Sequence, residues 1–155
     1  MHKVKIMKSF IESLNQLCSK IPQDIIALIA RIAVGLVFWR SAQTKINGST
    51  ILGQKWQFFN VSDSTFTLFE YEYELPIIPS DIAAYLATYG EFFLGGAIIL
   101  GLFTRLSAIA LLGMTLVIQI FVYPDAWPTH IMWLVPLLYL IKHGGGKVSV
   151  DSLIR

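Results

Sequence analysis

Four stretches of the chain are strongly apolar: about Asp24 to Lys45, Asp81 to Leu102, Thr104 to Tyr123, and Ala126 to Lys142. Each approaches the roughly 20 residues that cross a hydrocarbon core as a helix rising about 1.5 Å per residue, and the last is the shortest. Any one alone would suit a buried soluble core. Four in succession over 155 residues predict an all-α integral membrane four-helix bundle in a single membrane domain spanning 1–155. Only "GLFTR" joins the second span to the third and "YPDAWP" the third to the fourth, so consecutive spans there are antiparallel neighbours.

The flanking segments carry other periods. In "KIMKSFIESLNQLCSK", Ile6, Phe10, Leu14 and Leu17 recur at helical spacing among Lys3, Lys5, Lys8 and Glu12. Segment 1–22 therefore reads as an amphipathic helix on an anionic leaflet, with a disordered basic tail as the alternative. In the loop 46–80, Ser62-Asp63-Ser64 can cap a short helix running to about Tyr73, with Phe66, Phe69 and Tyr73 along one side, as suits a membrane interface. The alternation in "TFTLFEYEYEL" also fits a short hairpin. The tail 143–155, "HGGGKVSVDSLIR", reads as a flexible exit through glycines, because a phosphate-binding glycine loop would need a strand and a helix around it.

Composition sharpens the class. With 55% hydrophobic and 14% charged residues and a mean hydropathy of +0.62, the chain is ill suited to a water-facing surface. Lys3, Lys5, Lys8 and Lys20 precede the first span, Arg105 lies between the second and third, and Lys142, Lys147 and Arg155 follow the fourth. The excess of basic residues on one side predicts cytoplasmic N- and C-termini and an outer loop that is periplasmic in a bacterial inner membrane, where the protein is multi-pass. Asp63, Glu70, Glu72, Glu74, Asp81 and Asp125 fall on the opposite side. The apolar run starts only after Pro22 with no small-residue cleavage site at signal-peptide length, so no cleaved leader is expected. The single cysteine, Cys18, cannot form an internal disulfide. A net charge of +2 gives no ground for a nucleic-acid partner.

Three cations in "RIAVGLVFWRSAQTK" need compensation, because an arginine or lysine at a helix centre costs roughly 2.5–3.5 kcal/mol. Arg31, Gly35, Phe38, Ala42 and Lys45 share one face of the first span, while Ala84, Thr88, Glu91 and Gly95 share one face of the second. With the spans flush at the outer boundary, Glu91 lies roughly 15 Å deep, Arg31 roughly 21 Å and Arg40 roughly 8 Å. The expectation is a structural ion pair of Arg31 with Glu91, Lys45 reaching water at the rim, and Arg40 beside the outer-half polar groups Tyr89, Gln119 and His130. In one reading the Arg31–Glu91 pair serves only to fix helix register. Alternatively, the polar cluster lines a cavity for a quinone, with Arg40 or His130 bonding a carbonyl and Glu91 relaying a proton. No metal site is expected, since the membrane portion offers one histidine and no cysteine.

"RIAVGLVFWRSAQTK", "YGEFFLGGAIILGLFTRLSAIALLGM" and "PDAWPTHIMW…GGGKVSVDSLI", in this order, resemble the DoxX family of small four-helix membrane proteins from about Ile25 to the C-terminus. "RSAQTK" departs from the family pattern, with Ala42 where a glycine is usual. The resemblance implies a redox-accessory role linked to quinone oxidation, without carrying over enzymatic activity; no cofactor other than a quinone is implied. "LFEYEYELPIIP" and "IQIFVYPDAWPTH" resemble the branch that accompanies small secreted metal-binding peptides, which implies a copper or metal-stress context. The alternative function is a non-catalytic partner, anchor or transport component for such a peptide, docked through the aromatic and acidic loop. The bilayer is the first partner expected, then a protein partner or further copies of the chain through its small-residue faces.

Overall fold

A computed structural model describes residues 2–154, with side chains from Met7 to Ile154; the side chains of Lys3, Lys5, Ile6 and Arg155 lie outside the described set. The elements run α1 (His2–Cys18), α2 (Gln23–Lys45), a two-stranded antiparallel hairpin β1 (Thr50–Ile51) and β2 (Gln54–Lys55), α3 (Asp63–Tyr71), α4 (Ser80–Leu100), α5 (Thr104–Val117) continued by a π turn over Ile118–Val122, α6 (Trp127–His143) and α7 (Val150–Ile154). Helices α2, α4, α5 and α6 close a ring in which each packs on two neighbours. Val34, Phe38, Ile98, Leu111, Leu137 and Leu140 fill its centre. The outside is as apolar as the inside: Ile29, Ile32, Leu86, Phe93, Leu106, Ile109, Met132 and Val135 are all exposed. Such a surface belongs in lipid. Three helices, Gln23–Lys45, Ser80–Leu100 and Thr104–Val122, are long and apolar enough to cross a membrane. Helix α6, with 17 residues, is shorter.

The faces read from the wheel are the buried ones: Arg31, Gly35, Phe38, Ala42 and Lys45 on α2, and Ala84, Thr88, Glu91 and Gly95 on α4. Their small residues bring the two backbones together. A Cβ added at Gly35 would stand 2.6 Å from Ile99 Cγ1, and one at Gly95 would stand 3.0 Å from the Trp39 backbone nitrogen.

These contacts also fix a stagger. Arg31 is level with Gly101, and Gly35 with Gly95 to Ile99, so α4 runs on past the C-terminal end of α2 by roughly 12 Å at about 1.5 Å per residue. Helix α3 covers this overhang, with Phe69 buried against Ala83 and Ala84 and the Phe66 ring 5.2 Å from that of Tyr85. The loop helix thus forms where its spacing predicts and not as a hairpin, but its aromatic side packs on α4 instead of facing headgroups. Ser62 holds the N-cap position without bonding a backbone N–H; its hydroxyl bonds those of Ser64 and Thr65. A hairpin forms earlier, over 50–55, turning on Leu52 and Gly53 at positive φ.

Helix α1 is exposed along its described side chains. The tail is a correction to the flexible exit read from its glycines. It folds back over the end of the ring where α2 and α5 begin, and there the Asp151 carboxylate accepts hydrogen bonds from the Phe103 and Thr104 N–H groups at 2.7 and 2.8 Å. The Asp151 N–H donates to the Gly101 carbonyl at 2.9 Å, and the Lys147 N–H to Asp24 Oδ1 at 2.8 Å. An anion at the start of α5 satisfies N–H groups that a helix leaves unpaired.

Candidate functional site

Beneath α3 lies a cavity of about 290 Å³, walled mostly by apolar side chains of α3, α4, α5, the π turn and α6. Its size stands near the lower end of small-molecule sites. The wall includes Leu86 and Val117, 57% and 39% exposed on the outer surface of the ring, so the cavity reaches the lipid-facing side. Its polar groups are few: Ser41, Lys45, Glu91 and His130, with Tyr73 and Tyr123.

Glu91 is paired with Lys45, not with Arg31. Lys45 Nζ donates to Glu91 Oε1 and Oε2 at 3.1 and 2.8 Å and to Ser41 Oγ at 2.7 Å. The expected Arg31–Glu91 pair assumed flush spans; the stagger instead brings the end of α2 down to the level of Glu91 and carries Arg31 to the opposite end of the ring. Lys45, expected at the rim in water, is accordingly 8% exposed. A buried cation and carboxylate at this distance compensate each other's loss of hydration. Arg31, equally buried, finds different compensation: its Nη2 donates to the Val148 carbonyl of the tail, its charge interacts with Asp151, and the guanidinium occupies the space that a side chain on Gly101 would take.

The expected group of Arg40, Tyr89, Gln119 and His130 is divided. Arg40 is exposed on the other side of α2 and does not line the cavity. Tyr89 is half-buried and packs edge-on to Phe58, away from the cavity wall. His130 does line the cavity, 3% exposed, and its Nδ1 is 2.6 Å from Gln119 Oε1. Gln119 Nε2 in turn donates to the Pro124 carbonyl at 2.6 Å. The π turn sets this up, because its extra residue re-aims the end of α5 so that Gln119 meets α6; such turns recur at functional sites. At the edge of the cavity beside α3, the Tyr123 hydroxyl is 2.8 Å from both Glu72 Oε1 and the Tyr73 hydroxyl. Ser41 and Lys45 are the site residues that sequence reasoning missed. Their i, i+4 spacing on the buried face of the first span was the available signal. Among the described residues, no three His, Cys, Asp or Glu side chains converge as metal ligands would.

Residues 26–124 match the DoxX family across the ring helices α2, α4 and α5. The chain belongs to the DoxX family. With its three apolar helices, this DoxX protein is a membrane protein. A relative from Haemophilus influenzae, described as an uncharacterized protein, is 29% identical over 136 residues, covering 83% of this chain and 82% of its own. No solved structure matches the DoxX chain.

Proposed function

We propose that this DoxX protein is a redox-accessory protein of a bacterial inner membrane whose outer-half cavity takes a quinone or similar lipophilic ring. The observation that carries this is the cavity itself: an apolar chamber open toward lipid, with a buried Lys45–Glu91 pair and His130 on its wall. An apolar body with a small polar head is the ligand such a wall accommodates, since a wholly polar molecule would lose its hydration without replacement. Glu91 and His130 are the proton-handling groups of this site, and Lys45 takes the charge-compensating role first expected of Arg31. Arg40 has no part in it. The exposed Ile131, Met132, Val135 and Leu138 on α6 support a fourth span, which returns both termini to the cytoplasmic side.

The test is extraction in mild detergent followed by mass spectrometry of bound small molecules. Stoichiometric quinone is expected in the wild type and in Arg40→Ala, and its loss in Ala87→Trp, which fills the chamber. Absence of any quinone-class molecule from folded wild-type protein would sink the proposal.

A second reading, a docking partner for a secreted metal-binding peptide, draws support from the exposed Trp56, Phe59 and Tyr71 on the outer loop. Replacing these three with serine would abolish binding of such a peptide under that reading and leave quinone occupancy unchanged.

A further inference from the structure

A second cavity of about 290 Å³ lies at the end of the ring where α2 and α5 begin, and its wall carries Asp24, Arg105, Lys147 and Asp151 around the glycines 144–146. We propose that it holds the phosphate group of an anionic phospholipid. This site is separate from the cavity beneath α3 and does not depend on what fills that one. Both carboxylates on its wall are committed: Asp151 accepts from the Phe103 and Thr104 N–H groups, and Asp24 Oδ1 from the Lys147 N–H. The cations are freer. Arg105 donates through Nε and Nη2 to the Ile141 and Lys142 carbonyls at 3.2 and 3.4 Å, groups that the end of α6 leaves unpaired. These bonds hold the guanidinium beside the loop, where a Cβ added at Gly144 would stand 3.8 Å from Arg105 Cζ. Arg105 Nη1 has no hydrogen bond among the described residues. Lys147 Nζ is 3.9 Å from Asp24 Oδ2 on a side chain that is 89% exposed, too far for a hydrogen bond and free to turn. Arg31, buried beside Ser149 of the wall, adds a third positive charge, and its Nε and Nη1 are unpaired. Three cations against two carboxylates leave a surplus of positive charge.

The tail adds donors of a second kind. Gly144 and Gly146 take φ of +79° and +76°, and Gly145 between them is buried. The Gly144 N–H closes α6 on the Leu140 carbonyl, but the N–H groups of Gly145 and Gly146 have no acceptor among the described residues. Buried N–H groups are nearly always paired. A wall that combines unpaired N–H groups with surplus positive charge therefore calls for an anionic acceptor, and a phosphate offers several oxygens to such a set of donors. The neighbours of Arg105 indicate where that phosphate comes from. Phe103 and Leu106 are 64% and 67% exposed on the lipid-facing surface, so a phosphate at Arg105 has an apolar wall beside it for acyl chains. Basic pockets at the ends of membrane spans hold anionic headgroups in this way.

The experiment is native mass spectrometry of the full chain in detergent, titrated with phosphatidylglycerol and phosphatidylcholine of identical acyl chains. The two lipids share the phosphate and differ in net charge. Phosphatidylglycerol is expected to bind about tenfold tighter, the scale of one charge-assisted hydrogen bond. Arg105→Gln, with folding checked by its thermal midpoint, and Lys147→Gln, which alters only an exposed side chain, each narrow that preference. Arg40→Gln, an exposed cation toward the other end of α2, leaves it in place. Equal binding of the two lipids to the wild type overturns the site. So does a preference unchanged in both Arg105→Gln and Lys147→Gln, or one that falls equally in all three variants, the mark of unspecific attraction to a basic protein. Inorganic phosphate at the concentration of the lipid is expected to leave phosphatidylglycerol bound; displacement overturns the lipid as the source of the phosphate and leaves a site for the free anion.

Discussion

Lys45 and Glu91 are each costly to bury and are stabilised there by one another. Removing one partner leaves an uncompensated charge, so Glu91→Ala is expected to destabilise the folded protein by about 3–5 kcal/mol. Lys45→Met with Glu91→Leu, which removes both charges, is expected to lose less than the sum of the single changes. Denaturant titration in detergent, run as a double-mutant cycle, measures this; additivity would mean that the 2.8 Å contact contributes nothing. The residue scale also shows where the sequence was legible. The burial of Arg31 and Glu91, though not that of Lys45, followed from their places among Gly35, Ala42, Thr88 and Gly95. Their pairing did not, because a helical wheel gives the angle of a side chain and says nothing of how far one helix slides along its neighbour. The slide is set by the backbone contact at Gly35 and Gly95 and by the length of the covering loop.

Among the elements, α3 and the tail do most to position the site. Helix α3 roofs the cavity because α4 overhangs α2, and it was legible from its own spacing of Phe66 and Phe69. The tail was not legible: its glycines resemble those of a linker, and the partner of Asp151 lies 47 residues earlier, at the start of α5. That carboxylate satisfies two N–H groups as an N-cap side chain would. Asp151→Ala is therefore expected to cost about 1–2 kcal/mol, visible as a lowered thermal midpoint, with quinone occupancy intact because the cavity is at the other end of the ring. An unchanged midpoint would show that the tail does not brace the bundle. The π turn is a third device of this scale. Nothing in "LVIQIFVYP" distinguishes a π turn from continued α-helix, since both bury the same apolar residues.

For the whole molecule, the account requires four spans with both termini on the cytoplasmic side. The single cysteine offers a direct probe, because Cys18 is exposed and unpaired and lies just before the first span. A membrane-impermeant maleimide is expected to leave Cys18 unlabelled in intact spheroplasts and to label it in inverted vesicles, and to show the reverse for a Cys18→Ser, Asn60→Cys protein. Labelling of Cys18 from the outside would invert the topology and place the cavity in the inner half. The apolar exterior of the ring, its three long apolar helices and its buried polar residues were legible from hydropathy and period, the properties that the bilayer itself selects. The cavity was legible only in part, since Glu91 and His130 line it while Arg40 and Tyr89 do not, and no local pattern encodes the shape of an empty volume. Its occupancy is the central claim. The most direct measurement is photolabelling of the membrane-embedded protein with an azido-quinone, followed by peptide mapping. The account predicts label on Met114, Ile118 and Trp133 of the cavity wall, suppressed by Ala87→Trp; label confined to outward residues such as Ile109 and Val135, unaffected by that substitution, would contradict it.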